Sequence, residues 1–313
     1  MKRYLYIPLA ALVLFLGGCA AYAALNTDPA DMPPDATIGI VTTGIAKPDN
    51  TVITTEAVTE AVTETEAPVT TMTDAPETTV ATEPPVFEIP STGLDTSPVS
   101  WADIRRGNAA DPSKPMIALT FDDGPAGHTE RLLDILEKNS ANATFFVAGY
   151  FLDGRESTLK RITDGGHDIG GHSWSHTDLT KQSAADVANE FIRTREKIYS
   201  ATGVDSRLVR PPYGAHSEQV RSIAAGLGIV MINWNIDTED WRTRNADAVY
   251  ESVVNNARDG AIILCHDIHG STVDGMERAI PKLIEDGYQL VTVTELMSHS
   301  DKSFEAGTVY NRK

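Results

Sequence analysis

The sequence predicts an α/β fold built from repeated strand–helix units. Short apolar runs with β-propensity alternate with amphipathic helical patterns through residues 101–313. Gly- and Pro-containing breakers separate these runs, and polar clusters follow several predicted strands directly. Such alternation indicates a parallel sheet. It leaves open whether that sheet is doubly wound or closed into a barrel.

Residues 1–19 predict a lipoprotein signal peptide. Lys2 and Arg3 form a basic start, and the apolar run 4–16 is short for a membrane span but suits the core of a signal peptide. The small residues before Cys19 resemble a bacterial lipoprotein cleavage site, which predicts that Cys19 carries lipid. The alternative is an uncleaved signal anchor. Both place the chain on the extracellular face of the cytoplasmic membrane.

Residues 20–100 predict a disordered linker. From residue 26 onward this stretch is rich in Thr, Ala, Val, Pro and Glu. It contains 13 acidic residues and one basic residue, Lys47, and so holds most of the net charge of −18. This composition buries too little apolar surface to offset chain entropy, and repelling carboxylates keep it extended. We interpret the linker as a spacer, and the acidic chain predicts no nucleic-acid partner.

Residues 101–313 are long enough for one folded domain with its own core. Cys265 lies in the apolar run 261–265 and is expected to be a small core residue. With Cys19 assigned to the lipid, no disulfide is expected.

The predicted elements alternate along this domain. Strands are predicted at 116–121, 143–147, 167–170, 207–210, 229–233, 261–265 and 289–291. Helices are predicted at 129–138, 155–163, 184–200, 217–227, 246–258 and 275–286. Ser183 with Asp186, and Thr292 with Glu295, have the spacing of capping boxes that start helices.

Two adjacent carboxylates follow the first predicted strand. Asp122 and Asp123 come directly after Phe121 and precede a Gly-Pro breaker. Like charges side by side cost free energy unless a cation or hydrogen bonds compensate. The alternative is a turn that uses Asp-Asp-Gly-Pro for its backbone preferences.

Two histidines follow the third predicted strand. His172 and His176 are four residues apart, which predicts that both face one side of a helical turn and can grip a metal ion. Asp123 would complete a two-histidine, one-carboxylate set with open positions for water. The histidine spacing alone is weak evidence, and it gains strength from the paired carboxylates at a strand end.

Three further clusters follow the later strands. Arg210 begins an Arg-Pro-Pro-Tyr-Gly loop in which a guanidinium can orient a carboxylate, although a proline-rich turn with a solvated arginine is the alternative. Asp237 begins an acidic loop that ends in Trp241. His266 follows an apolar run, and at the mouth of a strand it suits proton transfer. Its alternative is a capping histidine.

These five clusters, in this order and at these intervals, resemble the five motifs of the polysaccharide deacetylases, the NodB homology domain of carbohydrate esterase family 4. The resemblance covers residues 114–297 and none of the linker. It implies a distorted (β/α)7 barrel, about one unit short of the regular eight.

The resemblance also implies a role for each matching residue, and no motif position departs from the pattern. Asp122 would be the general base held by Arg210, and His266 the general acid tuned by Asp240. The other matches are Asp123, His172 and His176 as metal ligands, Tyr213 as a backbone oxyanion donor, and Trp241 and Leu264 as walls beside the acetyl group.

The implied activity is metal-dependent removal of N-acetyl groups from N-acetylglucosamine units. Peptidoglycan is the expected substrate because an anchored chain on a spacer meets the cell wall first. The alternatives are N-acetylmuramic acid residues, chitooligosaccharides, an exopolysaccharide, O-acetylated xylan, or a carbohydrate-binding module that has lost catalysis. Zn²⁺ suits the ligands, as do Co²⁺, Fe²⁺, Ni²⁺ and Mn²⁺. We expect a monomer, with His128 and His269 lining the cleft.

Overall fold

The computed structural model describes residues 93–107 and 109–313. The predicted signal peptide, Cys19 and the predicted linker as far as residue 92 lie outside the described residues. None of the helices in the described part of the chain combines the length and apolarity that a membrane crossing needs.

Nine strands of the described residues form one sheet, and every pairing between them is parallel. They are β1 (Met116–Asp122), β2 (Thr144–Val147), β3 (Asp168–Gly171), β4 (Leu208–Val209), β5 (Val230–Ile232), β6 (Ile236–Asp237), β7 (Ala261–His266), β8 (Gln289–Leu290) and β9 (Val309–Tyr310). Their spatial order is β6-β7-β1-β2-β3-β4-β5-β9, with β8 paired to β1. This curled parallel sheet, flanked by helices, confirms the predicted distorted barrel.

Helices connect most of these strands. They are α1 (Trp101–Ile104), α2 (Thr129–Lys138), α3 (Glu156–Asp164), α4 (Ala184–Thr202), α5 (Glu218–Gly226), α6 (Asp240–Thr243), α7 (Ala246–Asn256), α8 (Gly270–Glu285) and α9 (Val293–Ser298). Short 3₁₀ turns span Gly149–Phe151, Leu179–Lys181 and Pro212–Gly214.

Both predicted capping spacings start helices. The Ser183 hydroxyl accepts the N–H of Asp186 at 3.2 Å, and the Thr292 hydroxyl accepts the N–H of Glu295 at 3.1 Å. The predicted start of α8 at residue 275 is wrong, since the helix begins at Gly270. Its first turns are glycine-rich and polar, which hides the helical period from a sequence pattern.

Alternate strand residues pack into two core layers. On β1, Leu119 and Phe121 pack in an outer layer against helices, whereas Met116 and Ala118 pack inside the curl of the sheet. Asp122 continues the inward-facing set and therefore points toward the interior at the carboxyl end of β1. Cys265 of β7 is buried in the outer layer, as predicted.

The residues just before α1 also contact the domain. Leu94 packs beside the cluster formed by α4, α5 and β5, and the carbonyl of Asp95 accepts a hydrogen bond from Arg195 at 2.7 Å. Trp101 is buried, and its ring nitrogen donates to the carbonyl of Lys302 at 3.1 Å. These contacts attach the segment that leads into the domain.

Gly275 allows α7 and α8 to approach closely. A Cβ at this position would lie 2.8 Å from the carbonyl oxygen of Ala246 and 2.9 Å from the side chain of Val249. Overpacking of this kind costs about 1–3 kcal/mol. We therefore expect Gly275→Val to lower the free energy of unfolding by about 2 kcal/mol in denaturant titration. Ser271→Ala on the same helix is the control, and an unchanged midpoint for Gly275→Val would contradict the packing argument.

Candidate active site

Five loops meet at the carboxyl ends of the strands. They follow β1, β3, β4, β6 and β7, and each carries one of the polar clusters singled out in the sequence. Neighbouring parallel strands end at the same edge of a sheet, so clusters far apart in the chain become neighbours. The predicted site residues at this edge are Asp122, Asp123, His172, His176, Arg210, Tyr213, Asp240, Trp241, Leu264 and His266.

Asp123, His172 and His176 form a candidate metal centre. Their ligand atoms all lie within 4.8 Å of one another. Oδ1 of Asp123 is 3.2 Å from Nε2 of His176 and 3.5 Å from Nε2 of His172. This oxygen is buried, yet it accepts no well-aligned hydrogen bond from the described residues. Two imidazoles and one carboxylate suit Zn²⁺ and related divalent ions, so the residues present fit a metal.

The second nitrogen of His172 sets its tautomer. Nδ1 lies 2.7 Å from the carbonyl oxygen of Arg210, which can only accept, so Nδ1 donates and Nε2 keeps its lone pair. Burial lowers the pKa of His172, which favours the neutral form that binds metals. Burial alone would raise the pKa of Asp123, but neighbouring His176 and His172 outweigh it and hold that pKa well below its usual range.

Asp122 is paired with a buried arginine. Oδ1 of Asp122 accepts a hydrogen bond from Nη1 of Arg210 at 2.7 Å, and the same nitrogen donates to the hydroxyl of Thr120 at 2.7 Å. Nε and Nη2 of Arg210 donate to backbone carbonyls, so the guanidinium is held on several sides. Oδ2 of Asp122 lies 3.7 Å from Nε2 of His172. The pair therefore fixes Asp122 beside the candidate metal centre.

Asp240 and His266 form a second pair. Oδ1 of Asp240 lies 2.8 Å from Nδ1 of His266, and Oδ2 accepts from the backbone N–H of His266 at 2.7 Å and from the hydroxyl of Thr272 at 2.8 Å. Burial alone would lower the pKa of His266, but the hydrogen bond and charge of Asp240 raise it to about 9. His266 therefore holds a proton at neutral pH, and Nε2 is the nitrogen available to transfer one.

Tyr213, Trp241 and Leu264 border these polar groups. The ring of Tyr213 lies 5.1 Å from the ring of His176, measured between centroids. Tyr213 and Trp241 are 64% and 48% exposed, so both present apolar surface to a ligand. Leu264 precedes His266 by two residues on β7, and period-two alternation places it on the same face.

The loop that carries the two histidines differs from its prediction. The predicted helical turn is wrong, because Ser173 and His176 have left-handed backbone with φ of 61° and 53°. The hydroxyl of Ser173 accepts the N–H of His176 at 2.9 Å, and the carboxylate of Glu190 accepts the N–H groups of Trp174 and Ser175. Side-chain acceptors thus replace helical hydrogen bonds and bring both rings to one point.

Left-handed backbone in residues other than glycine is concentrated at this edge of the sheet. Among the described residues, seven that are not glycine have positive φ, and all but Ser140 lie in the site loops. Those six are Asp123, Ser173, His176, Tyr213, Glu239 and Arg244. Such conformations cost on the order of 1–3 kcal/mol each and persist where the surroundings enforce them, a distribution typical of functional sites.

Two histidines outside the motifs lie near this edge. The ring of His269 lies 6.2 Å from that of His266, and Arg244 donates to its Nδ1 at 2.9 Å. His128 lies beside Gly270, the residue that follows His269 in the chain. Sequence reasoning missed Arg244 and the supporting hydroxyls of Thr120 and Thr272, because their partners lie in other loops or strands and no local spacing links them.

The chain is similar to known polysaccharide deacetylases. A family model for polysaccharide deacetylases matches residues 109–232. PgdA of Listeria monocytogenes, a peptidoglycan-N-acetylglucosamine deacetylase, is 44% identical over 181 residues. PdaC of Bacillus subtilis, a peptidoglycan-N-acetylmuramic acid deacetylase, is 41% identical over 187 residues. These matches cover 58% and 59% of this chain, but only 38% and 39% of the two relatives.

A solved structure extends the likeness to about two thirds of this chain. The structure of T48 deacetylase with substrate matches with a TM-score of 0.62 and 39% identity, over 65% of this chain and 100% of that one. Carbohydrate esterase family 4, to which other matching solved structures belong, is metal-dependent, in agreement with the candidate metal centre. The chain belongs to the polysaccharide deacetylase family.

Proposed function

We propose that this protein is a metal-dependent hydrolase that removes N-acetyl groups from N-acetylglucosamine units of peptidoglycan. The observation that carries the proposal is the meeting, at one edge of the sheet, of a candidate metal centre, a carboxylate held by Arg210, and a protonated histidine held by Asp240. Amide hydrolysis needs an activated water, a stabilised oxyanion and a proton for the leaving amine.

The candidate metal centre and Asp122 together would activate the attacking water. Asp123, His172 and His176 would hold a divalent ion, and Zn²⁺ is our first assignment from their ligand types. When bound, the ion supplies Lewis-acid polarisation of the acetyl carbonyl and of a water. Asp122 accepts the proton of the attacking water, and Arg210 keeps its carboxylate oriented for that transfer.

His266 completes the reaction. After the water oxygen bonds to the acetyl carbon, the backbone N–H of Tyr213 donates to the developing oxyanion, and a donor of this kind contributes about 3 kcal/mol. The bond between carbon and nitrogen then breaks, and His266 gives its proton to the departing sugar amine. Trp241 and Leu264 enclose the acetyl methyl group. The products are a glucosamine unit and acetate.

One alternative substrate receives specific support. PdaC is named for N-acetylmuramic acid, so the neighbouring sugar of the same polymer is the runner-up substrate. Chitooligosaccharides, an exopolysaccharide or O-acetylated xylan would require the same chemistry. A carbohydrate-binding module without catalysis is the third option, and the complete set of acid, base and ligand residues argues against it.

The proposal includes an anchored, extracellular protein. Cys19 would carry the lipid, residues 20–100 would act as a spacer, and a monomeric domain over 101–313 would reach the wall from the outer face of the cytoplasmic membrane. The support is the sequence pattern alone. Labelling with a radioactive fatty acid tests it: wild-type protein should incorporate label, Cys19→Ser should not, and equal labelling of both would contradict the anchor.

Acetate release tests the activity. The purified chain should release acetate from peptidoglycan, and a chelator should abolish that release. Chitooligosaccharides and acetylated xylan are tested in parallel. Acetate only from one of these other glycans would keep the chemistry and reject the substrate. No acetate from any of them, despite a bound metal, would reject the enzyme in favour of the binding module.

Catalysis should depend on pH through His266. The protonated form is the active acid, so the rate is retained below the pKa of about 9 and lost as pH rises through it. A metal cation bound to Asp123 would offset part of the rise in the pKa of His266. We therefore expect the activity to fall, on the alkaline side of the pH profile, at or below a pH of about 9. We expect Asp240→Asn to move the limb of the kcat profile down by roughly 1–3 pH units, the size of an opposite-charge effect. Asp237→Asn in the same loop is the control, and an unmoved limb in Asp240→Asn would contradict the assignment.

A further inference from the structure

Arg244 is a cation beside the candidate active site that forms no ion pair with a carboxylate in the described part of the chain. Its Nε donates to the carbonyl of Trp241 at 2.8 Å, and its Nη1 donates to Nδ1 of His269 at 2.9 Å. Within residues 93–107 and 109–313, no carboxylate lies within ion-pair distance of its guanidinium. Arg242, two positions earlier, is paired with Glu239. Among the described residues, therefore, no ion pair neutralises the positive charge of Arg244.

His269 holds this guanidinium close to the proton donor. A guanidinium can only donate, so Nδ1 of His269 is an acceptor and the ring is neutral. Burial and the charge of Arg244 lower the pKa of His269 to about 4, which keeps it neutral at physiological pH. His269 is 8% exposed, and its ring lies 6.2 Å from that of His266. The positive charge of Arg244 thus lies one imidazole ring away from His266.

The surrounding carboxylates are already occupied. Asp240 is fully buried. Its Oδ1 accepts from the ring of His266, and its Oδ2 accepts from the backbone N–H of His266 and the hydroxyl of Thr272. Glu239 forms an ion pair with Arg242. The chain as a whole carries a charge of −18 and repels anions at long range, although salt screens such forces beyond about 8 Å. An anionic group on a substrate would therefore need a local cation, and Arg244 provides one.

We propose that Arg244 is a substrate-recognition residue that pairs with a carboxylate of the glycan, next to the sugar whose acetamide is hydrolysed. This inference rests on the proposed function and narrows its substrate class to glycans that carry carboxylates. Peptidoglycan strands carry them, and chitooligosaccharides do not. The carboxylate belongs either to the lactyl group of a peptide-free muramic acid or to the stem peptide, and a guanidinium recognises both in the same way.

Steady-state kinetics on three soluble substrates test the proposal. They are chitooligosaccharides, glycan strands with stem peptides removed, and strands with peptides attached. We expect Arg244→Gln to lower kcat/KM on carboxylate-bearing strands relative to chitooligosaccharides by about tenfold, mainly through KM, the scale of one charge-assisted hydrogen bond. The strand type, with or without stem peptides, that shows the larger loss of kcat/KM identifies which carboxylate Arg244 contacts. Arg242→Gln should leave the ratio unchanged.

Salt separates recognition from a structural role. Added salt should reduce the preference of the wild type for carboxylate-bearing strands and should not change that of Arg244→Gln. Equal losses of kcat/KM on all three substrates would mean that Arg244 only supports the loop. No loss of kcat/KM on any substrate would mean that Arg244 does not recognise the substrate. Both outcomes overturn the proposal.

Binding by catalytically disabled protein separates this inference from the proposed function. Asp122→Asn should bind carboxylate-bearing strands about tenfold more tightly than Asp122→Asn combined with Arg244→Gln, as measured by calorimetry. If the two affinities differ in this way but the wild type shows no turnover, the proposed function is rejected and the role of Arg244 is kept. Equal affinities would reject the role of Arg244, whatever the activity of the wild type.

Discussion

Asp122→Asn is expected to slow deacetylation by about 10³-fold, within the range for loss of a general base. The amide has nearly the shape of the carboxylate but cannot accept the proton of the attacking water. The measurement is acetate release per folded molecule, with metal content determined on the same sample. Asp123, His172 and His176 are unchanged in this variant, so metal content should match that of the wild type.

Stability must be measured beside this rate. Arg210 is wholly buried, and Asp122→Asn removes the negative charge that it faces. Breaking a buried pair in this way costs about 3–5 kcal/mol, so we expect a lower thermal midpoint and compare rates well below it. Asp134→Asn, at an exposed site on α2, is the matched control. Full activity of Asp122→Asn would reject Asp122 as the base.

His176→Ala is expected to abolish both metal binding and activity. The change removes one of three protein ligands, and the polarisation lost with the ion is worth several kcal/mol, or about 10³-fold in rate. Metal content and acetate release should fall together. The wild type treated with chelator should lose activity equally and recover it when metal is added, whereas His176→Ala should not recover at the same metal concentration.

His299→Gln is the control for this variant. His299 lies after α9, away from the carboxyl ends of the strands, and glutamine can still donate to Glu295 as the ring nitrogen does at 3.0 Å. If His176→Ala keeps its metal but loses activity, His176 is not a metal ligand and has another role. Retained activity without metal would contradict the metal-dependent mechanism.

Much of the fold was predictable because its strands are continuous apolar runs. The strands at 116–121 and 261–265 are buried over nearly their whole length, which explains why composition alone located them to within a residue or two. β6 and β9 have two residues each and were missed, although β4 and β8 are as short and were predicted. β9 also pairs with β5 across a long chain separation, which no local pattern encodes.

The candidate site was predictable where motif and strand end coincide. Asp122 and Asp123 follow a clear strand, and their position at its carboxyl end follows from the strand alone. The grouping of His172 and His176 was anticipated from a helical spacing, although an irregular loop achieves it. The contact between Asp240 and His266 came only from the family resemblance.

Arg244 shows where sequence reasoning stops. Nothing in its neighbourhood along the chain distinguishes it from Arg242, two residues away. The difference is that Glu239 neutralises one guanidinium while the ring of His269 holds the other. That contrast depends on the turn of backbone after α6, where Arg244 has φ of 45°. Only the folded chain reveals it.

The central claim is deacetylation of N-acetylglucosamine in peptidoglycan, and mass spectrometry of muropeptides tests it most directly. Peptidoglycan is treated with wild-type protein or with Asp122→Asn and then digested to disaccharide muropeptides, and fragmentation assigns each acetyl group to its sugar. We predict glucosamine in place of N-acetylglucosamine after wild-type treatment only, with N-acetylmuramic acid intact. Loss of acetyl groups from muramic acid alone, or from neither sugar, would contradict the claim.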